Sequence, residues 1–192
     1  MIVFSFLSVI IIGSAVLVHD FILECTLFYV LSFTRLFTSL FLFYFSPDLK
    51  PDNIGFTLDG DLKVFDFGLC TCVRQRGKCV LSYEMTGNTG SLRYMAPEVA
   101  LRQSYSEKVD VYSYGVILWQ MASDTTPFKG LTKTEFMRRI IRGGERPKIP
   151  VLWPSQFGSL LRACWDHDPR IRPSFEKVVL LLDIMMKSRI LQ

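Results

Sequence analysis

The chain changes character abruptly near residue 45. Residues 1–45 contain 32 apolar residues, nine of the 16 phenylalanines, and only three formal charges, on Asp20, Glu24 and Arg35. The apolar runs 1–18 and 21–45 are each long enough for a membrane helix of about 20 residues, and they lack the spacing of a soluble amphipathic helix. No Lys or Arg precedes the first run, which disfavours a signal peptide. The sequence therefore predicts two unlike parts.

The second part has the composition of one ordinary soluble domain. Residues 46–192 carry 21 basic and 16 acidic side chains, a mild positive balance that gives no nucleic-acid footprint. Five cysteines, none in C-x-x-C spacing, favour reduced thiols. A zinc site from Cys70, Cys72 and Cys79 would lack a fourth ligand, which makes it the weaker interpretation.

Hydrophobic patterning after residue 46 predicts a mostly helical domain with one small hairpin. "NIGFTLDGDLKVFDFG" indicates two short strands around an Asp59-Gly60 turn, followed by a loop over 69–93. A buried helix is predicted from Asp110, a surface helix near 132–142, a Pro-rich connection at 147–154 and a helix over 155–165. Ser174 is a natural N-cap for the last helix. That helix places Phe175, Val178, Val179, Leu182, Met185 and Met186 on one face.

The segment "SPDLKPDNIGFTLDGDLKVFDFGLC" concentrates groups suited to phosphoryl chemistry. Asp48 is a carboxylate that can accept a proton from an attacking alcohol, and the Lys50 ammonium can neutralise charge on a transferred phosphoryl group. Asn53 and Asp66 offer the oxygen ligands that Mg²⁺ prefers. Gly68 lets the backbone turn beside the metal ligand.

Several motifs in a fixed order resemble the catalytic core of a eukaryotic protein kinase. They are "DLKPDN" at Asp48–Asn53, "DFG" at Asp66–Gly68 and "APE" at Ala96–Glu98, followed by "DVYSYG" and "CWDHDPRIRPSF". Each motif alone is weak, but the ordered set is highly specific. The match covers about 145 residues. The ending and Lys50 together are most similar to the tyrosine-kinase-like group, whose members phosphorylate Ser or Thr.

The resemblance implies a role for each matching residue. Asp48 and Lys50 would be catalytic, Lys50, Asn53 and Asp66 would hold the ATP phosphates, and Asn53 and Asp66 would ligate Mg²⁺. Asp110 would cap the catalytic loop, and Glu98 would form a buried ion pair with Arg172. The activation segment would run over 66–98 and include Asp66, Phe67, Gly68, Ser91, Ala96, Pro97 and Glu98. Ser82, Tyr83, Thr86 and Thr89 are phosphorylation candidates there, or ordinary loop hydroxyls.

The chain also departs from the family. It has no Lys before Lys50 and one Gly, Gly13, before Gly55, so the residue types of the nucleotide-covering small lobe do not occur upstream. Ser46 and Pro47 replace the family's His-Arg pair. Three interpretations of residues 1–47 follow: a misassigned start, membrane-spanning helices, or an apolar segment packed in place of the missing lobe.

The expected fold is α+β, a protein-kinase-like large lobe that is mostly α-helical with a small β-hairpin, preceded by an apolar helical segment. The expected boundaries are 1–47, 48–188 and a tail at 189–192. The expected function is a protein serine/threonine kinase using ATP and Mg²⁺, impaired in this chain, with a pseudokinase-like binding module as the alternative. Partners would be ATP and proteins that present Ser or Thr, and no nucleic acid. The lobe would be cytoplasmic, with membrane association only through residues 1–45.

Overall fold

A computed structural model describes residues 44–59, 62–66, 71–72 and 92–190. The rest, including most of the apolar segment, lies outside the described residues. Four strands and five α-helices are present in the described part. The strands are β1 (Tyr44–Phe45), β2 (Ile54–Phe56), β3 (Leu62–Val64) and β4 (Thr71–Cys72). The helices are α1 (Pro97–Ala100), α2 (Lys108–Ser123), α3 (Lys133–Phe136), α4 (Ser155–Cys164) and α5 (Phe175–Ile190).

The strands form two antiparallel pairs rather than one. β2 and β3 pair with Gly55 opposite Lys63, which confirms the predicted hairpin. β1 and β4 form a second pair, with Tyr44 opposite Cys72. The sequence placed Tyr44–Phe45 in the apolar helical segment and 71–72 in a loop, and both assignments are wrong. Two-residue strands bury too little to leave a periodic pattern, so pairing between distant segments decides them.

Helix α2 is the centre of the domain. Its residues from Val109 to Trp119 are all buried, so the helix is surrounded by protein on every side. Ser113 is polar, but its hydroxyl is used twice, donating to Tyr94 O at 2.7 Å and within the helix to Val109 O at 3.1 Å. The predicted buried helix is confirmed, and it begins two residues earlier than Asp110.

The surface helix near 132–142 begins with a capping box. The Thr132 hydroxyl accepts from Glu135 N at 3.3 Å, and the Glu135 carboxylate accepts from Thr132 N at 2.9 Å. After Phe136 the helix widens to π-helical geometry over Met137–Arg142, which the sequence pattern did not predict. The helix as a whole is confirmed, with Ile140 and Ile141 facing the core.

The C-terminal part of the domain follows the predicted order. No regular helix or strand occupies 143–154, as the Pro-rich connection predicted, and α4 then packs against α2. In α5, Phe175, Val178 and Leu182 are buried, and the remaining predicted face residues pack against the core. Helix α5 runs to Ile190, so residues 189 and 190 belong to the helix rather than to a tail. Among the described helices, none is both long and apolar enough to cross a membrane.

Candidate active site

The segment 46–53, called the catalytic loop below, is anchored by buried residues on both sides of Asp48. Leu49 is in the core, and Ser46 and Pro47 are also buried. The backbone is extended at Lys50 and then closes into a 3₁₀ turn over Pro51–Asn53. The loop therefore holds the Asp48 carboxylate and the Lys50 ammonium at the domain surface, where their side chains are 10% and 17% exposed.

Asp48 and Lys50 contact each other directly. The Lys50 ammonium donates to Asp48 Oδ2 at 2.5 Å. The contact is partly buried, and each side chain keeps a small exposed fraction. An ammonium next to a carboxylate also keeps a positive charge beside any phosphoryl group that approaches Asp48.

Asn53 joins the catalytic loop to the end of the hairpin. Its side-chain amide nitrogen donates to Asp48 O at 3.1 Å, and its own carbonyl accepts from Phe65 N at 2.7 Å. The first bond turns the amide nitrogen toward the loop, which makes the amide oxygen the atom that a cation can use. The second bond brings the backbone next to Asp66 against Asn53. Two oxygen-bearing side chains thus arise from neighbouring backbone, and amide and carboxylate oxygens are the kind of ligand that a hard cation such as Mg²⁺ prefers.

Asp66 has an unusual backbone conformation. Its φ is +59°, in the left-handed region that is uncommon for residues other than glycine. Such conformations carry a cost and cluster at functional sites. The side chain is exposed. Of the other predicted activation-segment residues, Phe67, Gly68 and Ser91 lie outside the described part of the chain, as do the four phosphorylation candidates.

The end of the activation segment is tied to the domain by a buried ion pair. Ala96 is extended, and Pro97 opens α1 at its first position, where a missing N–H costs nothing. Glu98 accepts two parallel bonds from Arg172, at 2.6 and 2.9 Å. The predicted contact between Glu98 and Arg172 is therefore present.

The Arg172 guanidinium also donates hydrogen bonds to backbone carbonyl groups. Besides Glu98, it donates to Asp166 O at 2.8 Å and Lys108 O at 3.0 Å. Its guanidinium also lies 5.0 Å from the centroid of the Tyr112 ring, and the Arg146 guanidinium lies 5.1 Å from it. No sequence pattern indicated this arrangement, because the three residues are far apart along the chain. Burial, which disfavours the charged phenolate, is the main reason why the pKa of the Tyr112 hydroxyl is raised.

Asp110 connects α2 to the catalytic loop. Its Oδ2 accepts from the Ser46 backbone N–H at 2.9 Å, so it caps the loop as the resemblance implied. The side chain is fully buried, and burial raises the pKa of Asp110 well above its ordinary value. Lys108 and Asp110 both belong to the first turn of α2: the Lys108 carbonyl accepts from Arg172, and the Asp110 carboxyl accepts from Ser46 N. The catalytic loop and the end of the activation segment are therefore positioned from the same helix.

Comparison with known proteins identifies the family. The protein kinase domain family matches residues 43–180. A probable serine/threonine-protein kinase of Dictyostelium discoideum is 38% identical over 136 residues, which are 71% of this chain and 14% of that protein. Mitogen-activated protein kinase kinase kinase 7 of Homo sapiens is 37% identical over 142 residues, 73% of this chain and 22% of that protein. Serine/threonine/tyrosine-protein kinase HT1 of Arabidopsis thaliana is 34% identical over 136 residues, 71% of this chain and 33% of that protein.

The chain thus spans a third or less of the length of these relatives. The family match begins at residue 43, which is before the boundary that the sequence placed at Asp48 and agrees with the strand at Tyr44–Phe45. The match includes the catalytic loop, Asp66, Glu98, Asp110 and Arg172. The resemblance inferred from the motifs is confirmed, and the chain belongs to the protein kinase domain family.

Proposed function

We propose that this chain carries the large lobe of a serine/threonine protein kinase of the tyrosine-kinase-like group. The observation that carries the proposal is the bonded set formed by Asp48, Lys50, Asn53 and the backbone beside Asp66. The Dictyostelium relative named as a probable serine/threonine-protein kinase supports the choice of acceptor. Members of the family use ATP and Mg²⁺, and the donor set here has the chemistry to hold them.

In this proposal each residue has one task. Bound MgATP would supply the phosphoryl group. Asn53 and Asp66 would hold the cation through their oxygens, and Lys50 would contact the phosphates. Asp48 would accept the proton of a Ser or Thr hydroxyl as that oxygen attacks the γ-phosphorus, while the bond from the γ-phosphorus to the β-phosphate oxygen breaks and ADP leaves. The base contributes roughly 10²–10⁴ in rate. The substrate is a protein segment that presents this hydroxyl to Asp48.

We expect the rate of the 192-residue chain to be low. Residues 1–45 contain no lysine to orient the phosphates from above, and Pro47 stands where the family has a basic residue. Positioning accounts for about 7–11 kcal/mol in well-oriented systems, so its loss outweighs a retained base. Pro47 is also the feature that favours the alternative, a pseudokinase-like module that binds partners without catalysis.

The proposal is tested first by measuring phosphoryl transfer and then by measuring nucleotide binding. The purified 192-residue chain is incubated with labelled ATP, Mg²⁺ and a Ser/Thr-rich acceptor protein, beside Asp48→Asn and its matched control Asp52→Asn. Asp52 lies in the same turn but is exposed. We expect slow labelling on Ser or Thr that Asp48→Asn abolishes and Asp52→Asn retains. Equal labelling by both variants would contradict the role of Asp48, and labelling on Tyr alone would contradict the acceptor class.

Thermal unfolding with and without MgATP separates the two functions. A ligand that binds the folded state raises stability by RT ln(1 + [L]/Kd). We expect MgATP to raise the unfolding temperature of the chain and of Asp59→Asn, an exposed hairpin-turn control, but not that of Asp66→Asn. A shift without turnover would favour the binding module. Without a shift in any variant, the proposed nucleotide site would be wrong.

A further inference from the structure

Asp110 has one carboxylate oxygen that receives no hydrogen bond from the described part of the chain. Its Oδ2 accepts from Ser46 N at 2.9 Å, whereas no described residue donates to Oδ1. The side chain is fully buried in the first turn of α2. Buried polar atoms without a partner are uncommon in native proteins, and each one calls for an explanation. The explanation here lies in the residue that follows Ser46.

Pro47 is the next residue in the catalytic loop and is itself buried. Proline has no backbone N–H. Two successive backbone N–H groups commonly bind one anionic group together, because they lie close enough for both to point into the same concavity. In this loop the first N–H, from Ser46, is present, and the second does not exist. Among the described residues, the catalytic loop therefore gives Asp110 one backbone donor, while its Oδ1 has none.

We propose that Pro47 limits the attachment of the catalytic loop to α2 to one hydrogen bond, and that Asp110 consequently carries a proton in the folded protein. We further infer that a residue with a backbone N–H at position 47 would complete the cap through Asp110 Oδ1 and hold the loop more firmly. The consequence for stability is independent of the proposed function. The consequence for catalysis rests on it, because it concerns the position of Asp48.

The surroundings of Asp110 agree with a neutral carboxyl group. Burial is the largest cause that raises its pKa, the Ser46 N–H acts in the opposite direction, and the charge of Glu107 on the same helix raises it further. In the loop packed against it, the charged groups Asp48 and Lys50 bond to each other. A buried carboxylate with one uncharged donor is poorly compensated, so protonation is the less costly state.

This arrangement predicts how stability changes with pH. An acid whose pKa is higher in the folded than in the unfolded chain keeps its proton at pH values where the unfolded chain has released it. Its contribution to the free energy of unfolding is therefore complete below the unfolded pKa of 3.8. That contribution is lost as the pH rises through the folded pKa. A second N–H would bind the charged form and lower the folded pKa. It would therefore stabilise the protein more at high pH than at low pH.

The experiment replaces Pro47 by alanine in the full chain and measures urea unfolding at pH 5 and pH 8. Proline-to-alanine changes also loosen the unfolded chain, so the exposed Pro150→Ala variant serves as the matched control. We expect Pro47→Ala to raise the folded-to-unfolded ratio about tenfold more at pH 8 than at pH 5, since bonds to charged groups are strong. Equal effects of both variants at both pH values would overturn the proposal.

The new N–H can also be observed directly. In the Pro47→Ala variant, the backbone amide introduced at position 47 should be protected from hydrogen exchange to the level of the Ser46 amide. The pKa of the Asp110 carboxyl, followed by carbon NMR, should fall. The same substitution in an Asp110→Asn background should lose its pH-dependent effect, because Asn does not titrate. An introduced amide that exchanges as fast as an exposed one would overturn the proposal.

Measuring phosphoryl transfer by the original chain and by Pro47→Ala separates this inference from the proposed function. If both are right, Pro47→Ala increases kcat and leaves KM for the acceptor protein nearly unchanged, because a better-held Asp48 acts only in the chemical step. A protected amide at position 47 with no phosphoryl transfer in either protein would support the cap and contradict the kinase activity. An unprotected amide at position 47 with measurable phosphoryl transfer would contradict the cap and support the kinase activity.

Discussion

At the scale of single residues, the ion pair between Glu98 and Arg172 is the most deeply buried of the salt bridges among the described residues. The two side chains are 6% and 0% exposed and form two parallel bonds. Removing one partner leaves the other charge buried without compensation, which costs about 3–5 kcal/mol. The pair fixes α1 against the loop before α5, so its loss should also loosen the activation segment.

We predict that Glu98→Leu and Arg172→Met each lower the free energy of unfolding by about 3–5 kcal/mol. The double variant Glu98→Leu/Arg172→Met should lose less than the sum, because no charge remains buried. Urea unfolding monitored by tryptophan fluorescence measures all three. Additive losses would show that the two side chains do not interact.

The ring and the hydroxyl of Tyr112 have opposite effects on the free energy of unfolding. The ring makes cation–π contacts with the Arg146 and Arg172 guanidinium groups, but its buried hydroxyl has no partner among the described residues. We predict that Tyr112→Phe, which keeps the ring, is as stable as the original chain or up to about 1 kcal/mol more stable. Tyr112→Leu should lose about 1 kcal/mol or more as the cation–π contacts disappear. Urea midpoints compare the two, and a less stable Phe variant would reveal a partner for the hydroxyl.

At the scale of elements, the approach of α4 to α2 depends on one glycine. A Cβ at Gly115 would lie 2.7 Å from Cys164 Cβ and 3.5 Å from the Cys164 backbone carbon. Neither atom belongs to a flexible side-chain end, so the helices themselves would have to separate. The glycine is kept in the helix interior despite its low helix propensity.

We predict that Gly115→Ala lowers the free energy of unfolding by about 1–3 kcal/mol through overpacking, although alanine favours the helix. Gly158→Ala in α4 is the matched control. There the new Cβ would meet Arg162 Nη2 and Ile149 Cγ2, both at 3.4 Å, atoms that can move aside. The control should be neutral or slightly stabilising. Thermal unfolding separates the two outcomes, and equal effects would show that the interface adapts.

At the scale of the whole molecule, the described domain is built around α2, and the first turn of that helix bonds to the catalytic loop and to Arg172. Asp110 contacts the catalytic loop, and the carbonyl of Lys108 contacts Arg172 and through it Glu98. The same helix packs against α4 over its middle. Cooperative unfolding of the core should therefore release the catalytic loop and the activation segment together.

Cys164 reports on this cooperativity. It is a free thiol with no exposed surface, and burial raises its pKa to about 12. The thiolate is the reactive form, so iodoacetamide at pH 8 should not modify Cys164 in the folded protein. Labelling followed by peptide mass spectrometry should appear at the same urea concentration as the loss of helical circular dichroism. Modification before that transition would show local opening between α2 and α4.

The sequence by itself predicted much of this architecture. The hairpin, the buried helix α2, the surface helix and α5 follow from local periodicity, turns and caps, which are properties of neighbouring residues. The order of Asp48, Asn53, Asp66, Glu98 and Arg172 likewise predicted a kinase-like lobe, because those residue types at those spacings rarely occur together by chance.

Only the tertiary structure decided the features that depend on residues far apart in the chain. No local signal predicted the pairing of Tyr44–Phe45 with Thr71–Cys72, the contacts of the Tyr112 ring with two arginines, or the Asp110 oxygen that has no partner among the described residues. A local pattern records which face of an element is apolar, whereas these contacts depend on which distant groups meet when the chain is packed.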